Sequence, residues 1–214
     1  MLTPALLQEI LQGYLLPLDG IHGLGHWARV LENGRRLAKV TKADLEVVEL
    51  FSVFHDACRR NDEHDPKHGA RGARLAHELL AGEGRLSPKR LQLLEQACQL
   101  HTRGLLEADI TVQTCWDADR LDLLRVGTLP EPGLLCTDAA RSHSMIAWAN
   151  SRARSREFPR LLIEEGGFAC QEGMLPHSLC APDNPIDAAR ALVASVAVLC
   201  PPPSSVMERA HDTL

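Results

Sequence analysis

Apolar residues recur along this chain at spacings of three and four, the period of helices that bury one face. Leu6, Leu7, Ile10, Leu11 and Tyr14 form the first such stripe, with Pro4 placed to open it. Pro17 and Gly20 break the pattern, and a second helix is predicted over about 22–40, carrying Leu24, Trp27, Val30, Leu31, Leu37 and Ala38. Thr41 is the expected N-cap of a third helix, whose apolar residues cover nearly its whole circumference except Glu46, Glu49 and Ser52. Such a helix belongs at the centre of a fold, and this one ends on His55 and Asp56. Further helices are predicted over about 67–80, from the Ser87-Pro88 cap to His101, over about 114–126, over about 137–158 and near 186–199. Strand-like alternation and internal repeats are absent from the sequence. The fold class is therefore all-α: a helical domain over residues 1–165, then a less regular C-terminal extension over 166–214 with one helix.

Composition narrows the class of protein. The chain is 45% hydrophobic and 24% charged, ordinary for a soluble globular protein. Its net charge of −5 argues against duplex nucleic acid as a partner, because phosphate backbones reward basic surfaces. Seven cysteines without a CxxC pair read as reduced, mostly buried thiols, not as a disulfide framework or a structural zinc site. The first residues lack a basic lead into an apolar stretch, and the longest apolar run, around 191–200, is too short to span a bilayer. The expectation is a cytoplasmic protein without a membrane partner; the sequence is silent on oligomeric state.

The histidines and aspartates carry the chemistry. His22 and His26, four apart, are predicted to share one helix face. His55 and Asp56 end the third helix, His64, Asp65 and His68 follow, His101 closes the fifth, and Asp117 and Asp119 are expected to open the sixth. A single helix-borne histidine is most often a hydrogen-bonded structural residue. Several helix ends delivering imidazole and carboxylate to one place instead build a mixed nitrogen and oxygen metal site. Arg59 and Arg60, beside the His-Asp doublet, have the forked geometry that grips phosphate oxygens. Arg141, Arg152, Arg154, Arg156 and Arg160 give the late helix a basic character, read as a solvated face or as a rim attracting an anion. His77, His143, His177 and His211 have no comparable context.

This ordered set resembles the HD metal-dependent phosphohydrolase superfamily. His26-Trp27-Ala28-Arg29-Val30 looks like its first-histidine motif, and Phe54-His55-Asp56 is similar to its doublet. Arg59 falls where many members carry Lys or Arg, and Ala118-Asp119-Arg120-Leu121-Asp122 looks like the closing segment. The likeness spans roughly residues 20–125 and implies an HD-domain helical bundle with its motif-bearing core at about 20–126. It implies that His26, His55, Asp56 and Asp119 bind a primary divalent ion (Mn, Fe, Co, Ni, Zn or Mg). Asp119 is preferred to Asp117 because the residues after it match the motif. His22, His68 and His101 resemble the extra ligands of two-metal or phosphate-gripping members, so one or two ions are expected. Asp117 and Arg60 join them as candidates for a second metal or for phosphate, with Asp117 also suited to orienting a ligand histidine. The implied activity is hydrolysis of a phosphomonoester or phosphodiester in a small, nucleotide-like substrate through a metal-bound hydroxide, with His55, Asp56, His101 and Arg59 in catalytic roles. The Gly-Tyr-Pro signature of the cyclic-dinucleotide branch is missing. Two other readings share the ligand set: an HD-fold di-iron oxygenase, and a non-catalytic metal- or nucleotide-binding regulatory protein.

Overall fold

The computed structural model describes residues 2–82 and 84–155 of the 214-residue chain. Among them all regular structure is helical: α1 (Pro4–Gln12), α2 (Leu24–Thr41), α3 (Leu45–Phe54), α4 (His68–Leu80), α5 (Pro88–Leu100), α6 (Ile110–Arg120), α7 (Asp138–Arg141) and α8 (His143–Ser155). Short 3-10 turns follow α5 and α6 and precede α7. None of these helices is long and apolar enough to cross a membrane. The predicted helix near 186–199, the extension over 166–214, and Arg156, Arg160, His177 and His211 lie outside the described residues.

Helix α3 is the hub. Val47, Val48, Leu50, Phe51, Val53 and Phe54 are all buried, and α2, α5 and α6 pack around them. Ser52, expected at the polar edge, is also buried, with its hydroxyl donating to the Glu49 carbonyl at 2.6 Å. Arg35 of α2 reaches Glu49 of α3 at 2.7 Å, and Asn33 Nδ2 donates to the Ala118 carbonyl of α6 at 3.0 Å.

Several expected boundaries move, each for a local reason. Thr41 is the last residue of α2, and Asp44 caps α3 instead, its carboxylate accepting from the backbone of Glu46 and Val47. An aspartate next to the first-turn N–H groups, favoured by the helix dipole, outcompetes the upstream threonine. Helix α2 starts at Leu24 behind Gly23, so His22 lies in the preceding turn and shares no helical face with His26. Asp109 caps α6, whose side chain accepts from Thr111 N at 2.8 Å. That helix consequently begins at Ile110, and Asp117 and Asp119 sit in its last turn rather than its first. The helix expected over 137–158 is broken at Ser142, whose backbone is extended (φ −62°, ψ 136°).

Two glycines set how closely α4 approaches its neighbours. A Cβ on Gly72 would stand 2.2 Å from the Phe54 carbonyl oxygen, and one on Gly69 would stand 2.3 Å from the Cys98 carbonyl oxygen. These contacts press the start of α4 against the ends of α3 and α5, where His55 and His101 lie. Because the obstacle at Gly72 is backbone, no side-chain rotation relieves it. Gly72→Ala should destabilise the protein by about 1–3 kcal/mol, the usual cost of overpacking. Gly82→Ala, where an added Cβ meets no atom of the described residues beyond its chain neighbours within 4 Å, serves as control in urea unfolding. Equal midpoints for the two variants would refute the close-packing account.

Candidate metal centre

Five helix ends converge on one point. His26 comes from the first turn of α2, His55 caps the C-terminus of α3 and Asp56 follows it. His68 opens α4, His101 caps α5, and Asp119 sits in the last turn of α6. All but Asp119 are buried, and Asp119 is 15% exposed along its side chain, facing a cavity.

The ring nitrogens show what these groups do. His55 Nδ1 lies 3.0 Å from the Phe51 carbonyl, which can only accept, so Nδ1 carries the hydrogen and Nε2 presents a lone pair. His26 Nδ1 likewise donates to Asp122 Oδ2 at 2.8 Å. The two free Nε2 atoms face each other at 3.0 Å. Asp119 Oδ1 is 3.4 Å from His26 Nε2 and 3.9 Å from His55 Nε2. Asp56 Oδ2 is 3.6 Å and 3.7 Å from the same two nitrogens. Four acceptors therefore meet with no hydrogen between them. Ligands about an ion with bonds near 2.1 Å stand ~3.0 Å apart at right angles and ~3.4 Å apart at the tetrahedral angle. His26, His55 and Asp56 have the donor chemistry and roughly the spacing that a divalent cation requires, and Asp119 Oδ1 stands beside the same two imidazoles.

A second group shares Asp56. Its other oxygen, Oδ1, is buried without a hydrogen-bond partner. It faces His68 Nε2 at 3.1 Å and His101 Nε2 at 3.8 Å. His68 Nδ1 donates to the Asp65 carbonyl and His101 Nδ1 to the Cys98 carbonyl, so both Nε2 atoms are again acceptors. Their separation is 2.9 Å. Here a cation is already near. Arg59 Nη1 lies 3.2 Å from His68 Nε2 and 3.5 Å from Asp56 Oδ1, and the guanidinium is pinned by the carbonyls of Asn61 and Glu63. Buried His/Asp groups that can hold a metal ion are thus His26, His55 and Asp56 on one side of the doublet, and Asp56, His68 and His101 on the other.

The electrostatics agree with this arrangement. Burial pushes the His26 imidazole well below its ordinary range, helped by Arg125 and His55, and brings His101 down to about 4. Burial alone raises the Asp56 carboxyl, but His55, His22, His68 and His26 together hold it well below the usual carboxylate range. Asp119 is lowered in the same way, burial being outweighed by His55, Arg125 and His26. Neutral imidazoles beside ionised carboxylates are the protonation states that ligate metals.

Other candidates are placed differently. His22 Nδ1 donates to Asp56 Oδ2 at 2.8 Å, making it an orienting group behind the carboxylate. Asp117 accepts from the backbone of Cys136 (2.6 Å) and Thr137 (2.8 Å) and from the Thr137 hydroxyl. Those three bonds tie α6 to the segment before α7, so Asp117 orients no histidine and reaches neither group. Arg60 is exposed and away from the cavity, its backbone N–H bonded to Asp65. His64 is exposed, and Asp65 is held by Arg71 as a structural link. Of the late arginines, those among the described residues do not line the cavity: Arg152 pairs with Glu32 and lies on Trp148, and Arg141 bonds to the Leu135 carbonyl.

Sequence reasoning passed over three residues. Asp122 holds His26 and is itself gripped at both oxygens by Arg29 (2.7 and 3.0 Å). Arg125 anchors on the Ile21 carbonyl and stands 3.9 Å from Asp119. All three lie in or beside the quoted motifs, Asp122 three residues after Asp119 and Arg29 three after His26; that spacing was the available signal. With Arg59 and Arg120, Arg125 lines a cavity of about 350 Å³ that opens onto Asp56, His101 and Asp119. Comparison with known protein families, curated proteins and solved structures finds no match to this chain.

Two outcomes follow from this geometry. Asp122→Asn should weaken divalent-metal affinity about 10–100-fold, as loss of a carboxylate behind a ligand histidine generally does. Calorimetric titration of metal-free protein checks it, with helix content monitored by circular dichroism. Unfolded histidines take up protons near pH 6.5, whereas folded His26 and His101 resist until far lower pH. Their protons therefore favour the unfolded chain. The urea midpoint of metal-free protein should fall between about pH 6.5 and 4, and a flat profile would refute the buried neutral imidazoles.

Proposed function

We propose that this chain is a divalent-metal-dependent phosphohydrolase of the HD type, acting on a small phosphate ester. The observation that carries the reading is the hydrogen-free quartet of His26 Nε2, His55 Nε2, Asp56 Oδ2 and Asp119 Oδ1, bordering a cavity lined by Arg59 and Arg125. A divalent ion, when bound by these residues, lowers the pKa of water toward neutrality and offsets negative charge on phosphoryl oxygens.

The chain's own residues supply the rest. Arg125 and Arg59 draw the anionic group into the cavity and orient it by forked hydrogen bonds. His22 and Asp122 fix Asp56 and His26 from behind, so that the ligand atoms do not reorganise when an ion enters. His101 lines the same cavity and, with Nδ1 committed to the Cys98 carbonyl, offers an Nε2 lone pair that accepts a hydrogen from water or substrate. Asp56 connects the two groups through its two oxygens, an arrangement that also suits a di-iron oxygenase. The guanidinium of Arg59 at the second group favours the hydrolase, since it supplies positive charge there without a second ion.

The test is elemental analysis of protein purified without chelator, followed by assay of phosphate esters after adding manganese, cobalt or nickel to stripped protein. At least one ion per chain and restored turnover are expected, and His55→Ala or Asp56→Ala should lose at least about a hundredfold in both affinity and turnover. Turnover that survives either substitution sinks the proposed site. A di-iron spectrum with oxygen consumption transfers the site to the oxygenase reading. Metal bound without turnover of any ester leaves the regulatory one.

A further inference from the structure

The cavity wall divides by chemistry. Around the two metal-competent groups it presents Asp56, His101, Asp119 and the arginines. Much of the remainder is aliphatic: Leu123, Leu129, Pro130, Leu134 and Leu135. Leu129 and Leu134 are each 58% exposed, so their side chains stand open to an apolar ligand beside the polar site. Among the described residues no Phe, Tyr, Trp, Asn or Gln lines this cavity. The described aromatic rings are used elsewhere: Trp27, Trp116, Phe51 and Phe54 are fully buried in the core, Tyr14 packs edge-on against Trp27, and Trp148 carries Arg36 and Arg152 on its ring. A nucleobase is ordinarily gripped by stacking on aromatic or guanidinium faces and by hydrogen bonds to its edge, and here His101, Arg59, Arg120 and Arg125 are each tied to a backbone carbonyl. Thr102, Thr128 and Glu131 are the remaining polar side chains on the wall, and none of them offers a stacking face.

Resting on the phosphohydrolase reading, we infer that the substrate is the phosphate ester of an aliphatic alcohol and not a nucleotide. The phosphate lies toward Arg59, Arg125 and the histidine-aspartate groups, and the alkyl part covers Leu129, Leu134 and their neighbours. Each methylene added to the alcohol then leaves water for an apolar wall and tightens binding about three- to fourfold, until the cavity is filled.

Alkylphosphonates, whose carbon–phosphorus bond resists hydrolysis, separate binding from turnover. Methyl-, butyl- and hexylphosphonate and adenosine monophosphate are titrated calorimetrically into the manganese-loaded full chain, and kcat/KM is measured in parallel for the matching alkyl phosphates and nucleotides. Affinity should climb along the alkyl series, with the nucleotide binding no tighter than methylphosphonate. The double variant Leu129→Ser, Leu134→Ser should flatten the climb; both side chains are largely exposed, so the fold tolerates the change. A flat alkyl series with nucleotides bound and hydrolysed best overturns the aliphatic substrate and leaves the phosphohydrolase reading standing. Absence of turnover for every ester with every metal, together with no alkylphosphonate binding, overturns that reading and this inference together. Tight alkylphosphonate binding without turnover keeps the aliphatic pocket and removes only the hydrolase.

Discussion

Four lone-pair atoms held close together at the edge of a cavity are the constraint around which this structure is arranged. His26 Nε2, His55 Nε2, Asp56 Oδ2 and Asp119 Oδ1 repel one another, and holding the two buried imidazole lone pairs against carboxylate oxygens costs free energy that the remainder of the fold must offset. The offset is visible in the surrounding bonds. His55 is locked by the Phe51 carbonyl and stacks on the Phe51 ring with centroids 4.9 Å apart, while His26 is locked by Asp122 and, through it, by Arg29. Each imidazole hydrogen is committed on the side away from the cluster. A bound cation turns the repulsion into attraction, so the arrangement is one in which binding and folding favour each other.

The helices deliver this cluster because each ends there. Carbonyls in the last turns of α3 and α5 serve as orienting acceptors for the histidines, that of Phe51 in addition to its bond from the His55 backbone. Phe51 and Cys98 lie near the ends of α3 and α5 and receive the Nδ1 hydrogens of His55 and His101. The glycines at 69 and 72 let α4 come close enough for His68 to meet His101 at 2.9 Å. Packing precision in the core is thereby converted into positional precision at the site, where small displacements of a ligand matter.

The all-helical class was legible because strong three-and-four periodicity and caps such as Ser87-Pro88 are local signals. His26, His55, Asp56 and Asp119 were legible as a group through their order and flanking residues. What sequence did not disclose is set by competition or by long-range contact. Thr41 and Asp44 are both plausible caps, and only the backbone path decides between them. Asp117 and Asp122 are both buried aspartates flanking Asp119, yet a helix turns about 100° per residue. Asp117 therefore points toward the Cys136–Thr137 backbone, whereas Asp122, just beyond the helix, meets α2 across 96 residues of sequence. Neither partner is readable from the segment itself. Arg60 was grouped with Arg59 by adjacency alone, and one residue at a chain turn separates a buried guanidinium from a solvated one.

The two oxygens of Asp56 are not equivalent, and the difference bears on how much positive charge the site calls for. Oδ2 belongs to the quartet and accepts from His22, while the closest approach of the Arg59 guanidinium to this carboxylate is to the other oxygen. Oδ1 faces His68, His101 and the Arg59 guanidinium, whose charge is permanent. Positive charge on the second side is therefore built into the chain, and on the first side it is left to a ligand, with Arg125 standing only at the margin 3.9 Å from Asp119. An additional ion beside Arg59 must either displace that guanidinium from the Asn61 and Glu63 carbonyls or share a buried space with a like charge. Both are costly where water screens poorly. The first group is consequently the stronger divalent-cation position, and Arg59 at the second is free to meet the anionic end of a substrate without first releasing a metal.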